Sequence, residues 1–192
     1  MMLSIRNILF KENRVCPWWL AYTFDNPFRR LFHNPDQILG DYVKPGQTVL
    51  DIGCGLGYFT LAMARMVGEK GKVIAVDLQP QMLKRLRRRA ERAGLQLRIQ
   101  PHLSQRDLLG VKEPVDFILA FWMVHEVDNQ TSFFQEVHGL MKPEARFLVV
   151  EPKFHVTDSA FQKTVAIAHQ TGLVSLDAPQ VRFSRAINFV NE

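Results

Sequence analysis

Residues 49–57, Val-Leu-Asp-Ile-Gly-Cys-Gly-Leu-Gly, carry an acid and three glycines at close, regular intervals. Three apolar residues and an acid run into Gly53, Gly55 and Gly57, and apolar side chains recur with helical spacing from Tyr58 to Val67, so the segment reads as strand, tight glycine turn, helix. Glycine suits such a turn because the backbone can leave the strand through dihedrals closed to other residues. It can also approach a ligand where a Cβ would collide. The helix N-terminus then presents free N–H groups to that ligand. A nucleotide-like molecule fits this geometry; the bland alternative is an ordinary glycine turn.

Spacing separates two cofactor classes. The dinucleotide fingerprint G-x-G-x-x-G would need glycine at Tyr58, whereas this chain has G-x-G-x-G with Asp51 two residues before the first glycine. That favours S-adenosylmethionine over NAD, because a carboxylate at Asp51 can organise the loop and meet the ammonium group of a methionine moiety. Lys72 to Asp77 reads as a buried parallel strand ending in a second carboxylate. Asp77 lies 20 residues beyond Gly57, where an acid can accept hydrogen bonds from both hydroxyls of a ribose.

On these residues the sequence resembles the class I S-adenosylmethionine-dependent methyltransferases. Their first motif is matched by Asp51, Gly53, Gly55 and Gly57, and their second-strand acid by Asp77. The resemblance implies a Rossmann-like α/β fold, a doubly wound seven-stranded sheet in the order 3-2-1-4-5-7-6 with strand 7 antiparallel and helices on both faces. It implies S-adenosyl-L-methionine as cofactor and S-adenosyl-L-homocysteine as product, held by Asp51, Gly53, Cys54, Gly55, Gly57, Asp77, Leu78, Leu103, Ser104 and Phe121. An acid often follows the third strand in this family and meets the adenine amino group. Here Pro101-His102-Leu103-Ser104 stands instead, so backbone near Leu103 and the Ser104 hydroxyl are the substitutes.

The surrounding strands and helices follow from the apolar pattern. Strands are expected at Lys72 to Asp77, Leu97 to Gln100, Val115 to Phe121 and Phe147 to Glu151, with a closing pair at Leu173 to Leu176 and Val181 to Val190. Helices are expected at Gln79 to Gly94, after Asp128 or Asn129, and at Asp158 to Gly172. Leu140 to Arg146 reads as a turn. Residues 1–45 lack strand patterning and form an accessory segment, helical and broken at Pro17, Pro27 and Pro35; residues 46–192 form the cofactor-binding domain. By resemblance the accessory segment folds over the cofactor, and Trp18, Trp19 and Tyr22 would then line an apolar acceptor site.

At 192 residues with 47% hydrophobic content the chain can bury a full core. No run approaches the ~20 apolar residues of a membrane helix and no signal peptide is apparent, so a cytoplasmic protein is the default expectation. The formal charge of +5 sits in the helix from Gln79, where Lys84, Arg85, Arg87, Arg88, Arg89 and Arg92 face only Glu91. With Met82, Leu83, Leu86, Ala90 and Ala93 as its buried stripe, the arginines read as a solvated outer face in preference to a nucleic acid patch. Cys16 and Cys54 read as reduced, and no spacing of histidines and cysteines makes a metal site.

Methyl transfer needs alignment above all, and a base only where the acceptor must lose a proton early, as a phenol or an activated carbon acid does. His125 and Glu126, just after the fourth strand, are the base candidates. Trp122, Glu151 and His155 are the further pocket candidates, and Arg185 either binds an anionic substrate or pairs with an acid. The Asn/Asp-Pro-Pro-aromatic tetrad of amino-directed nucleic acid methyltransferases is absent after the fourth strand. Residues 115–151 are instead similar to small-molecule methyltransferases, including the quinone C-methylating branch. The expected partner is a small-molecule acceptor, without a membrane and compatible with a homodimer. The alternatives are a nucleic acid methyltransferase using the basic helix and a cofactor-binding protein without turnover.

Overall fold

The computed structural model describes residues 27–192. Seven strands form one sheet in the order β3-β2-β1-β4-β5-β7-β6. They are β1 (Thr48–Ile52), β2 (Lys72–Asp77), β3 (Ile99–Leu103), β4 (Val115–Phe121), β5 (Met141–Pro152), β6 (Leu173–Asp177) and β7 (Ser184–Asn191). The pairs from β3 through to β5 are parallel, and β7 runs antiparallel to both β5 and β6. The helices are α1 (Pro35–Leu39), α2 (Tyr58–Met66), α3 (Pro80–Arg92), α4 (Gln130–Leu140) and α5 (Asp158–Gln170).

Alternation along the central strands sorts the core into two layers. Val49, Val73, Ala75, Phe117, Leu119, Leu148 and Val150 face one way, against Leu39, Met63, Leu83 and Leu86 of α1, α2 and α3. Leu50, Ile52, Ile74, Val76, Ile118, Phe147 and Val149 face the other, against Phe134, Val137, Phe161 and Val165 of α4 and α5. Both faces are thus covered, which is why the central strands are apolar almost without interruption. Full burial of Phe117, Phe134, Phe147 and Phe189 contributes about 1.5–3 kcal/mol per side chain.

Four local expectations need correction. The third strand begins at Ile99 and runs through Pro101 and His102, where a loop was expected; residues 96–98 form a 3-10 turn instead. Proline is tolerated because β3 is an edge strand, its outer N–H side having no neighbour to serve. The expected turn at Leu140 to Arg146 is mostly strand: β5 starts at Met141, with a register shift opposite Val115 and Phe117 and Glu144 in the left-handed region at φ 65°. Ala93 is exposed, not part of the buried stripe of α3. Finally, Arg89 is not simply solvated, since its guanidinium donates to the Leu56 carbonyl at 2.8 Å.

Candidate functional site

The ends of β1 and β2 are stitched together by the backbone between them. The N–H groups of Gly53 and Cys54 donate to the Val76 carbonyl at 2.9 and 3.0 Å, and the Gly55 N–H donates to Asp77 Oδ2 at 2.9 Å. The other Asp77 oxygen accepts from the Gln79 N–H at 2.8 Å. Gly57, at φ 84°, caps α2. There is no room for a side chain at two of these turns: a Cβ on Gly53 would come 2.9 Å from Met123, and one on Gly57 would come 2.3 Å from Leu86. Arg89 tightens the arrangement from the outside through its bond to Leu56.

Alternation turns Asp51 towards α2, where the Thr60 hydroxyl donates to it at 2.5 Å. Burial pushes its carboxyl up to about 7, and the nearby Asp77 adds to the rise, while the Thr60 hydrogen bond and Arg29 oppose it. Burial also raises Asp77, against the backbone N–H groups that stabilise its charge. The Cys54 thiol is buried and raised well above its ordinary value by desolvation, so it stays protonated and unreactive.

A cavity of about 340 Å³ opens over these strand ends, within the usual range for a small-molecule site. Of the predicted cofactor residues, Asp51, Gly53, Cys54, Gly55, Asp77, Leu78, Ser104 and Phe121 line it. Gly57 does not line it and acts instead as the helix cap. Leu103 does not line it either, being half-exposed on the edge strand β3. The floor of the loop region is completed by Gln105 to Leu109, held in place where the Leu109 N–H donates to Glu136 at 2.9 Å.

The cavity continues to the ends of β4 and β5, where Trp122, Met123, His125, Glu126, Phe154 and His155 line it. Trp122 sits at φ 60°, anchored by its indole N–H donating to Ser184 Oγ at 3.0 Å. Glu151 lies behind His125 and is fully buried; one carboxyl oxygen accepts from the Val124 N–H at 2.9 Å and the other is bonded to His125 Nδ1. Burial of His125 lowers its pKa, but the hydrogen bond and charge of Glu151, with the charge of Glu126, outweigh burial and the net direction is upward. The His155 ring packs edge-on against His125 with centroids 4.9 Å apart. Arg185 takes no part in the cavity: its guanidinium pairs with Asp158 at 3.1 Å and donates to the Val156 carbonyl at 2.8 Å.

Trp18, Trp19 and Tyr22 lie outside the described residues, as does Cys16. Two residues of the adjoining segment carry no motif and were not singled out from sequence. Arg29, in a 3-10 turn at Pro27–Leu31, lines the cavity with its guanidinium 4.4 Å above the Tyr58 ring. His33 is buried with its ring edge-on to both Phe121 and Trp122, and desolvation lowers its pKa. Neither is visible in one sequence, because each gains its place from elements far along the chain. Among the described residues no group of three or more His, Cys, Asp or Glu side chains could hold a metal ion, and no helix is long and apolar enough to cross a membrane.

Comparison with known proteins decides what family builds such a cavity. The sequence profile described as "Methyltransferase domain" matches residues 43–180. The chain belongs to the class I S-adenosylmethionine-dependent methyltransferase family. Its fold superposes on the crystal structure of an S-adenosylmethionine-dependent methyltransferase from Aquifex aeolicus with a TM-score of 0.80 and 25% identity, covering 91% of this chain and 98% of that one. The ubiquinone/menaquinone biosynthesis C-methyltransferase UbiE of Escherichia fergusonii is 31% identical over 110 residues, which is 57% of this chain and 44% of that protein. The demethylmenaquinone methyltransferase of Symbiobacterium thermophilum is 32% identical over 111 residues, again 44% of its length. This chain's matched stretch therefore spans under half of those curated relatives.

Proposed function

We propose that this methyltransferase-family chain transfers a methyl group from S-adenosylmethionine to a small, largely apolar acceptor whose reacting atom loses a proton on the way. The single observation that carries the reading is one continuous cavity with a carboxylate-bearing glycine loop at one end and an aromatic wall with a carboxylate-backed histidine at the other. The loop fits the cofactor: Asp77 stands at the strand end for the ribose, and Asp51 is a buried acid that a ligand cation would ionise. When bound, the cofactor supplies an already activated methyl group.

The protein's share is orientation and proton handling. Effective molarity from alignment can lower the barrier by roughly 7–11 kcal/mol. Phe121, Trp122, Met123 and Phe154 exclude water and hold an apolar or aromatic acceptor over the sheet. His125 has Nδ1 engaged by Glu151, which fixes the tautomer and leaves Nε2 to take the acceptor's proton. An acceptor of phenol or activated-carbon type would need such a base, in keeping with the quinone-related names of the two curated relatives.

The test combines binding with turnover. Calorimetry is expected to show S-adenosylmethionine and S-adenosylhomocysteine binding to the wild type, with affinity falling about 10- to 100-fold in Asp77→Ala as two charge-assisted hydrogen bonds are lost. A panel of hydroquinones, phenols and RNA incubated with isotopically labelled cofactor should accept label only among the small aromatic compounds. Labelling of RNA alone, or tighter binding of NAD, would overturn the reading.

A further inference from the structure

We propose that Ser184 is a positioning residue for the acceptor: its hydroxyl fixes the Trp122 indole as a rigid wall of the cavity, which makes the site prefer a planar aromatic acceptor to a saturated one of the same skeleton. The proposal rests on the apolar-acceptor reading above and names this chain's means of choosing within that class.

Backbone strain lies at the cavity wall. Among the described residues, three that are not glycine have a left-handed backbone: Trp122, Glu144 and Phe183. Glu144 belongs to the irregular start of β5. The other two, at φ 60° and 59°, meet near its far end. Trp122 follows β4 and its N–H donates to the Val150 carbonyl at 2.7 Å, while Phe183 precedes β7 and its carbonyl accepts from the Lys153 N–H at 2.9 Å. A bulky side chain persists in this region only where its surroundings over-determine it.

What holds Trp122 is a chain of hydrogen bonds from the start of β7. Its indole N–H donates to Ser184 Oγ at 3.0 Å, and the Ser184 hydroxyl donates in turn to the Arg182 carbonyl at 3.3 Å. The same carbonyl is bonded to His33 Nε2 at 2.9 Å, and because a carbonyl can only accept, that nitrogen carries the ring proton. Ser184 is buried and opens β7 opposite Pro152, the last residue of β5. The Trp122 ring also has two edge-on neighbours, His33 with centroids 5.0 Å apart and Phe154 at 5.3 Å.

Ser184 does not line the cavity, whereas Trp122 does, so any effect of the hydroxyl on a ligand passes through the indole. An indole has a single N–H donor. Taking away the Ser184 oxygen leaves that donor without its acceptor and removes one of the contacts that oppose relaxation of the strained backbone. Aromatic pairs gain attraction beyond buried area only at particular centroid distances and tilts; a saturated ring gains the area alone. Phe121 lines the same cavity with its centroid 5.5 Å from that of Trp122. A fixed Trp122 thus presents an ordered aromatic pair, and the order depends on Ser184.

Two probes isolate this preference: 2-naphthol and decahydro-2-naphthol, which share a carbon skeleton and a hydroxyl and differ in planarity. Calorimetry on the full chain saturated with S-adenosylhomocysteine is expected to show the wild type binding 2-naphthol about 2- to 10-fold more tightly than its saturated analogue. Ser184→Ala should remove that preference by weakening 2-naphthol alone, with S-adenosylhomocysteine affinity unchanged. Trp122→Phe keeps an aromatic ring without the N–H and should lose the preference too, and the double variant should be no weaker for 2-naphthol than Trp122→Phe by itself. Equal loss for both probes, a changed S-adenosylhomocysteine affinity in S184A, or additive losses in the double variant would mean that Ser184 supports the fold and not the wall, and would overturn the proposal. Should S184A fail to fold, W122F decides the matter, since retention of the preference there would overturn it equally. Wild type that binds S-adenosylhomocysteine but neither probe would instead remove the apolar-acceptor reading, and this proposal with it.

Discussion

The two ends of the cavity are built by different means. At the β1–β2 end the glycine loop is held by short-range hydrogen bonds from the main-chain N–H groups of Gly53, Cys54, Gly55 and Gln79 to the strand ends. At the β4–β5 end the lining is gathered from the larger side-chain-bearing residues Trp122, His125, Phe154 and His155. A loop made of backbone has few ways to vary and must be glycine where a Cβ has no room, as at Gly53 and Gly57. A wall made of side chains can change residue by residue without disturbing the sheet, which on the function proposed above is where acceptor choice would reside.

The sharpest way to break that division is to remove His125. His125→Ala is expected to lower turnover about 10²- to 10⁴-fold, the usual contribution of a positioned base, with cofactor affinity unchanged by calorimetry. Its pKa is raised overall by Glu151 and Glu126, and only the neutral ring accepts a proton. Activity should therefore rise with pH through a midpoint above the ordinary histidine value of about 6.5. Glu151→Gln keeps an acceptor for the Val124 N–H but removes the charge, and should move that midpoint down. If His125→Ala abolished cofactor binding as well, the two ends could not be treated as separate.

The same division explains what the sequence made legible. β1, β2 and β4 are written as near-continuous apolar runs because both faces of the sheet are covered, and the observed bounds of β2 and β4 coincide with those expected. The glycine loop announces itself because local backbone geometry demands particular residues at fixed spacing. β3 was misplaced because an edge strand tolerates the polar and proline residues that normally signal a loop. The early half of β5 is hidden by Lys142, Pro143 and Glu144 for a similar reason, four of its first six residues being exposed or partly so. His125 and Glu151 could each be flagged as following a strand, yet their bond crosses 26 positions and only the parallel register of β4 and β5 creates it. Arg29 and His33 sent no signal, because a cation and a histidine in an aromatic segment look the same whether they face solvent or ligand.

At the cofactor end, Gly57→Ala tests whether the loop is as constrained as its contacts indicate. The left-handed backbone at φ 84° and a Cβ 2.3 Å from Leu86 in the core should together cost about 2–4 kcal/mol of stability by urea unfolding. Because the strain falls at the start of α2, cofactor affinity should drop with it, whereas the His125 pH midpoint measured at saturating cofactor should not move. A variant as stable as wild type would mean that Leu86 yields without penalty and that the loop tolerates side chains after all.

Asp51 gives the smallest effect and connects the cofactor end to pH. Its carboxyl is raised from the usual acidic range to about 7 in the folded protein, so the folded state keeps a proton that the unfolded chain has released. Stability attributable to this group is therefore full below the ordinary aspartate range and is lost as pH rises towards 7. Asp77 and Arg29 are the charged neighbours that modulate it, and Thr60 is its hydrogen-bond donor. A ligand ammonium favours the ionised form, so wild-type affinity for S-adenosylmethionine should rise about five- to tenfold between pH 6 and 7.5, below the range where the ligand's own amino group loses its proton. Asp51→Asn should bind more weakly, show a flat profile over that interval, and unfold at higher urea than the ligand-free wild type at pH 7.5. A wild-type profile equally flat would mean that Asp51 is already ionised in the free protein and serves the loop through Thr60 alone.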